Sequence, residues 1–175
     1  MIMKRITVIL VLFSFLCSCS LQSEVTPRIF VNRLINADDK FVFDEYINFS
    51  HKNIHTYYFN YSEHLYPVIE IWTDGQGNAR KIDLACTQTD MVDLFTECTG
   101  KLISVYAPEE NVDEIINALY GDKSVTDKFN YYESQWYLYS AIISGNGIYF
   151  SVENKKISPQ SEIQLSLKAN DKVGY

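Results

Sequence analysis

Basic residues are scarce in this chain of 175 residues: 15 Lys and Arg stand against 22 Asp and Glu, a net charge of -7. A nucleic-acid binder needs a basic face to displace counterions from phosphate, so that class is excluded as a reading. Four cysteines are too few for a disulfide scaffold. Seven glycines and four prolines exclude a collagen-like or linker-dominated chain. No Gly-x-Ser-x-Gly nucleophile elbow, phosphate-cradling glycine loop or dinucleotide fingerprint occurs, and no cofactor is expected. What is present is apolar and aromatic. Hydrophobic residues make up 47% of the chain, with 13 Tyr and 10 Phe, enough to pack the core of one domain and inconsistent with intrinsic disorder.

The N-terminus carries the strongest signal. Lys4 and Arg5, with no acid nearby, form a short positive region, and the apolar run Ile6 to Leu16 has the length of a signal-peptide core. That run is well short of the roughly 20 residues that cross a bilayer as a helix. Leu16, Cys17, Ser18 and Cys19 follow. This pattern resembles the lipobox of bacterial lipoproteins, with Leu at -3, a small residue at -1 and Cys at +1. The resemblance covers residues 1–19 only. It implies diacylglycerol on the Cys19 sulfur, cleavage before Cys19 and acylation of the new amine. Cys17 is a poor alternative acceptor, because Leu16 would then occupy the position that wants a small residue. Ser20 at +2, rather than Asp, implies outer-membrane sorting in a double-membraned bacterium. Two or three acyl chains suffice for stable anchoring, whereas one binds only marginally. Residues 1–18 then read as signal peptide and 19–25 as a lipidated tether. Removal of residues 1–18 leaves thirteen Lys and Arg against twenty-two acids, a side-chain charge of -9.

The remainder reads as a single α+β domain over residues 26–168, an antiparallel β-sheet with about three helices packed on one face, followed by a loose tail over 169–175. Thr26 and Pro27 suit the cap and first position of a helix whose apolar side is Phe30, Val31, Leu34 and Ile35. Residues 40–50 fit either a strand, through Phe41 and Phe43, or a helix, through Phe43, Tyr46 and Ile47. Ile54 to Tyr61 reads as a strand. Val68 to Thr73 and Arg80 to Cys86 form a hairpin around Asp74 to Asn78, with Ile82, Leu84 and Cys86 on one face. Thr89 is expected to cap a helix to about Val105, with Met91, Phe95, Cys98, Leu102 and Val105 as its stripe. Asn111 and Glu114 form a capping box for a second helix, ended at Gly121. Asp122 to Ser134 reads as a long loop. Strands follow around Trp136 to Ile143, Ile148 to Val152 and Ile163 to Leu167. Alternating order of this kind argues for α+β architecture.

Candidate chemistry is thin. Cys86 and Cys98 are expected to point inward from a strand and the next helix. A disulfide closing that loop would contribute roughly 3 kcal/mol, and two separate buried thiols are the equal alternative. His51, His55 and His64 invite a zinc reading, yet a strand would hold His51 and His55 about 13 Å apart, so they read as surface or loop residues, and no metal is expected. Asp74 to Asn78 has too few carboxylates for a calcium loop. The acidic pairs Asp38 and Asp39, Asp44 and Glu45, and Glu109 and Glu110 read as solvated or helix-terminal charge rather than paired catalytic acids.

Tyrosines concentrate in the strands, where alternation turns half of them outward. Tyr57, Tyr61, Tyr137 and Tyr139 are the candidate binding surface, since flat, rigid, hydrogen-bonding rings suit protein or glycan recognition. The expected function is a membrane-anchored lipoprotein with a small non-enzymatic domain. It would sit at the bacterial cell membrane or outer membrane, on the extracytoplasmic side, held by lipid on Cys19, and bind a protein or cell-envelope component. One alternative is an inhibitor or immunity-type lipoprotein against a toxin or hydrolase. A second is an enzyme with a dispersed active site.

Overall fold

A computed structural model describes residues 25–49, 52–121, 127 and 129–158. The signal peptide, Cys19, His51, the strand expected near Ile163 and the tail lie outside the described residues. Helix α1 (Pro27–Ala37) starts where Thr26 Oγ1 accepts the Ile29 N–H and Pro27 takes the first turn. It buries Phe30, Val31 and Leu34. Four strands follow as a meander: β1 (Phe41–Phe49), β2 (Ile54–Tyr61), β3 (Val68–Thr73) and β4 (Ala79–Cys86). Helices α2 (Val92–Tyr106) and α3 (Val112–Tyr120) then cross to a second meander of β5 (Phe129–Glu133), β6 (Tyr137–Ser144) and β7 (Gly147–Asn154).

The strands form one seven-stranded antiparallel sheet in the order β1-β2-β3-β4-β7-β6-β5. The two meanders join where β7 returns beside β4, pairing Ile82 with Val152 and Leu84 with Phe150. The chain is an α+β domain with its helices on one face of the sheet. One core fills the space between the layers. From the helices come Phe30, Phe95, Leu102 and Tyr106, and from the sheet Phe59, Ile69, Ile71, Ile82 and Phe150.

One open alternative is resolved and two local expectations are corrected. Residues 41–49 are a strand. A bulge between Phe43 and Glu45 adds one residue, which brings Phe43 and Tyr46 to the same face and imitates helical spacing. Thr89 does not cap α2. The cap is Met91, which makes no side-chain bond. Gln88 first ties this turn to the loop before β3, accepting the Tyr66 N–H at 2.8 Å and donating to the His64 carbonyl at 2.7 Å, so the helix starts later. The expected loop Asp122 to Ser134 contains β5, an edge strand in register with β6, anchored where Asn130 Nδ2 donates to the Leu119 carbonyl at 2.9 Å. Among the described residues no helix is long and apolar enough to cross a membrane.

Candidate functional site

The four tyrosines expected to form a binding surface face the helices instead. Tyr57, Tyr61, Tyr137 and Tyr139 are 8%, 0%, 2% and 0% exposed. Alternation holds in both strands, but with the opposite phase. In β2 the polar Thr56 and Asn60 take the other face, and in β6 Ser140 and Ser144 do so, leaving odd-numbered positions to fill the core. The parity of Phe59 and Ala141 was the signal that assigned them inward. Two of their hydroxyls meet acids: Tyr61 donates to Glu97 at 3.2 Å and Asp38 at 3.4 Å, and Tyr137 donates to Glu109 at 3.1 Å. Burial pushes the Tyr57 phenol up to about 12, with Tyr46 beside it adding to the shift. Burial also raises Tyr61 far above the ordinary range, reinforced by Asp38 and Glu97.

The acidic pairs play similar supporting parts. Glu110 accepts the Ser134 hydroxyl at 2.8 Å, and Glu114 accepts Tyr132 at 2.9 Å, pinning the helical layer to the β5–β6 hairpin. Asp38 Oδ1 accepts the Lys40 N–H at 3.0 Å, and the Lys40 ammonium pairs with Glu97. Cys86 and Cys98 are both buried in the one core and are free thiols in this structure. Burial raises the Cys98 thiol well above its usual value, with Cys86 the next cause. His55 stands on β2, its Nδ1 2.9 Å from the Tyr46 hydroxyl, and partial burial lowers its pKa. His64 is exposed in the following turn. No group of three or more metal-binding side chains occurs among the described residues.

What the sequence did not single out is the opposite face of the sheet, which no described helix covers. It is concave, enclosing ≈ 570 Å³ between Glu70 and Lys81 on one side and Phe129 and Ile142 on the other. Register puts its side chains in rows that run across the strands. The central row is Thr56, Glu70, Asp83, Ser151, Ser140 and Tyr131, each directly opposite the next on β2, β3, β4, β7, β6 and β5. Every member can hydrogen-bond. On one side lies an aromatic and aliphatic row of Tyr58, Val68, Ala85, Tyr149, Ile142 and Phe129. On the other lie Trp72, Lys81, Glu153, Leu138 and Glu133.

Asp83 is satisfied within the sheet, accepting the Trp72 indole N–H at 2.9 Å and pairing with Lys81 at 3.0 Å. The others are not. Thr56, Glu70, Ser151, Ser140 and Tyr131 make no side-chain hydrogen bond or ion pair among the described residues. Thr56 is the sharpest case, because its residue is only 3% exposed and its Oγ1 has no partner. A buried hydroxyl left unsatisfied costs about 1–3 kcal/mol, a cost that Thr56 alone bears in this row, since Glu70, Ser151 and Ser140 are half-buried and Tyr131 is exposed. No family model, curated protein or solved structure matches the chain.

Proposed function

We propose that this protein is a lipid-anchored recognition domain without catalytic activity. Lipid on Cys19 holds it to the extracytoplasmic side of a bacterial membrane, and the concave sheet face binds a protein or envelope component. The observation that carries the recognition half is the central row: Glu70, Ser151, Ser140 and Tyr131, without side-chain partners among the described residues, aligned across the face that holds the concavity and flanked by tyrosines. Occupied by a ligand, that row exchanges bonds to water for bonds to the ligand, which gives register and specificity more than affinity. Recognition is favoured over hydrolysis for a specific reason. Two-carboxylate chemistry needs a pair of acids free to act on substrate. Glu70 faces Asp83, but Asp83 is held by the Trp72 indole and the Lys81 ammonium.

The anchor half rests on the Leu16, Cys17, Ser18, Cys19 pattern after a charged, then apolar, leader. The fold suits such an attachment, because the Val25 carbonyl accepts the Ala79 N–H at 2.8 Å and fixes the start of the domain against β4. Residues 19–25 reach at most about 20 Å when extended, so the domain stands close to the bilayer. Cys19→Ala tests this directly. Metabolic labelling with palmitate is expected in the wild type and absent in the variant, which moves to the soluble fraction. A variant that stays with membranes and still takes label overturns the anchor.

A further inference from the structure

We infer that the occupant of the concave face is an extended, cationic segment of a partner protein, laid across the strands along the central row; this deepens the recognition reading above and rests on it. The argument begins with charge. Register places Glu45, Glu70, Asp83, Glu153 and Glu133 on this face; Lys81 shares it, the Arg80 guanidinium lies 6.0 Å from the Trp72 ring, and Lys155 pairs with Glu133 at 2.7 Å, which leaves five carboxylates against three bases. Lys81 is already committed to Asp83 and lies over the Trp72 ring at 5.5 Å. Glu70 is therefore left opposite another carboxylate, with no ion pair of its own among the described residues. Like charges directly opposite on adjacent strands destabilise a sheet. A face that keeps such a pair, half-buried in a concavity, is complementary to positive charge brought by something else.

The shape of the row sets the form of that ligand. Six strands at about 4.8 Å spacing make the row about 24 Å long, which an extended chain of about seven residues covers at 3.3 Å per residue. Ser151, Ser140 and Tyr131 offer hydroxyls beyond Asp83, suited to main-chain N–H and C=O groups, while Tyr58 and Tyr149 flank the path as flat apolar contacts. A basic segment fits each of these features. An anionic lipid surface would be repelled.

The test uses the full chain extracted in mild detergent and three probes: a decapeptide of alternating Lys and Tyr, its Gln/Tyr analogue, and a neutral hexamer of N-acetylglucosamine. Binding is followed by titration, and the occupied surface by amide exchange. The Lys/Tyr peptide is expected to bind at least about tenfold more tightly than the Gln/Tyr peptide at low salt, to lose that advantage as salt rises, and to protect β3, β4 and β7. Glu45→Lys with Glu70→Lys is expected to weaken it about tenfold or more. Asp39→Lys with Asp90→Lys makes the same change in net charge on exposed turns off this face and is expected to leave binding within about twofold. The first pair replaces a like-charge neighbour of Asp83 by an opposite one, so loss of binding cannot be traced to loss of the fold.

Equal binding of the Gln/Tyr peptide, or protection of the same strands by the sugar alone, overturns the cationic assignment and leaves the face as a recognition surface. Equal weakening by both lysine pairs overturns it too, since net charge alone would then explain the binding. Protection confined to the helical layer, or no binding by any probe, overturns both. If the face is protected without added probe and opens when the chain is ended after Ser158, residues 159–175 are the occupant and the inference fails.

Discussion

Tyr106 donates its hydroxyl to the Ala79 carbonyl at 2.8 Å from a position 5% exposed, while Tyr139, with no exposure, carries a hydroxyl without a partner among the described residues. The same chemical group should therefore have opposite worth at the two sites. Removing the Tyr106 hydroxyl strands a buried carbonyl, and Tyr106→Phe is expected to cost about 1–2 kcal/mol. Removing the Tyr139 hydroxyl discards a group that was desolvated without return. Tyr139→Phe is expected to be neutral or to stabilise by up to about 1 kcal/mol. Urea denaturation with an unchanged slope reads both values. Burial raises both phenols far above the ordinary range, so neither ionises near neutral pH and the contrast should hold from pH 6 to 8. A Tyr139→Phe variant as damaged as Tyr106→Phe would mean that the Tyr139 hydroxyl has a partner after all.

At the scale of elements, the β3–β4 turn depends on one carboxylate. Asp74 Oδ1 accepts the N–H groups of Gln76 and Asn78, each at 2.8 Å, and Oδ2 accepts the Asn78 side chain at 3.2 Å, while Gly77 takes φ of 87°. Partial burial pushes this carboxyl upward, but the bonds from Asn78, then Gln76 and Gly77, outweigh it and lower the pKa. A folded pKa below the unfolded one stabilises the fold at pH values above the unfolded carboxyl range, near about 4, and this contribution disappears as pH falls through the folded value. Asp74→Asn is expected to cost about 1 kcal/mol near neutral pH, since hydrogen bonds to a charged acceptor are worth more than neutral ones. The gap from wild type should close as acid protonates Asp74. Parallel urea curves across that range check it, and a gap independent of pH would contradict the sign.

This hairpin was among the most legible parts of the sequence, and the reason is local. Gly77, Asp74 and the alternation of Ile82, Leu84 and Cys86 act within a few residues. Thr26 with Pro27, and Asn111 with Glu114, were legible for the same reason: Asn111 caps α3 by accepting the Glu114 N–H. What stayed hidden was set by distant partners. The bulge beside Asp44 exists only in pairing with β2, and β5 exists only because β6 lies beside it. The candidate face illustrates this most clearly. Thr56, Glu70, Ser151 and Tyr131 are unremarkable along the chain, and only the strand order β2-β3-β4-β7-β6-β5 aligns them. Tyr57 and Tyr139, conspicuous by type, went to the core because strand phase follows the small and polar neighbours rather than the aromatic ones.

Across the whole molecule, the decisive contact is the seam between β4 and β7, which joins a meander over residues 41–86 to one over residues 129–154. The proposed recognition face spans this seam, since Glu70 and Asp83 lie on one side of it and Ser151, Ser140 and Tyr131 on the other. Two halves that opened separately would break the row, so the proposed recognition would require the sheet to act as one unit. The chain has two tryptophans, one reporting on each half: Trp72 in β3 and Trp136 just before β6. Leu84, fully buried and paired with Phe150, lies at the seam itself. Leu84→Ala is expected to cost about 3 kcal/mol, the usual range for a large-to-small change in a packed core. Because the loss falls on contacts shared by both halves, it should lower the midpoint of both together. Single-tryptophan chains, made with Trp72→Phe or Trp136→Phe, measure this in urea. Coincident midpoints before and after Leu84→Ala indicate one cooperative unit. Separation of the two curves, with Trp136 released first, would show a C-terminal meander that docks on β4 as an independent part, and the row across the strands would then form only when both parts are engaged.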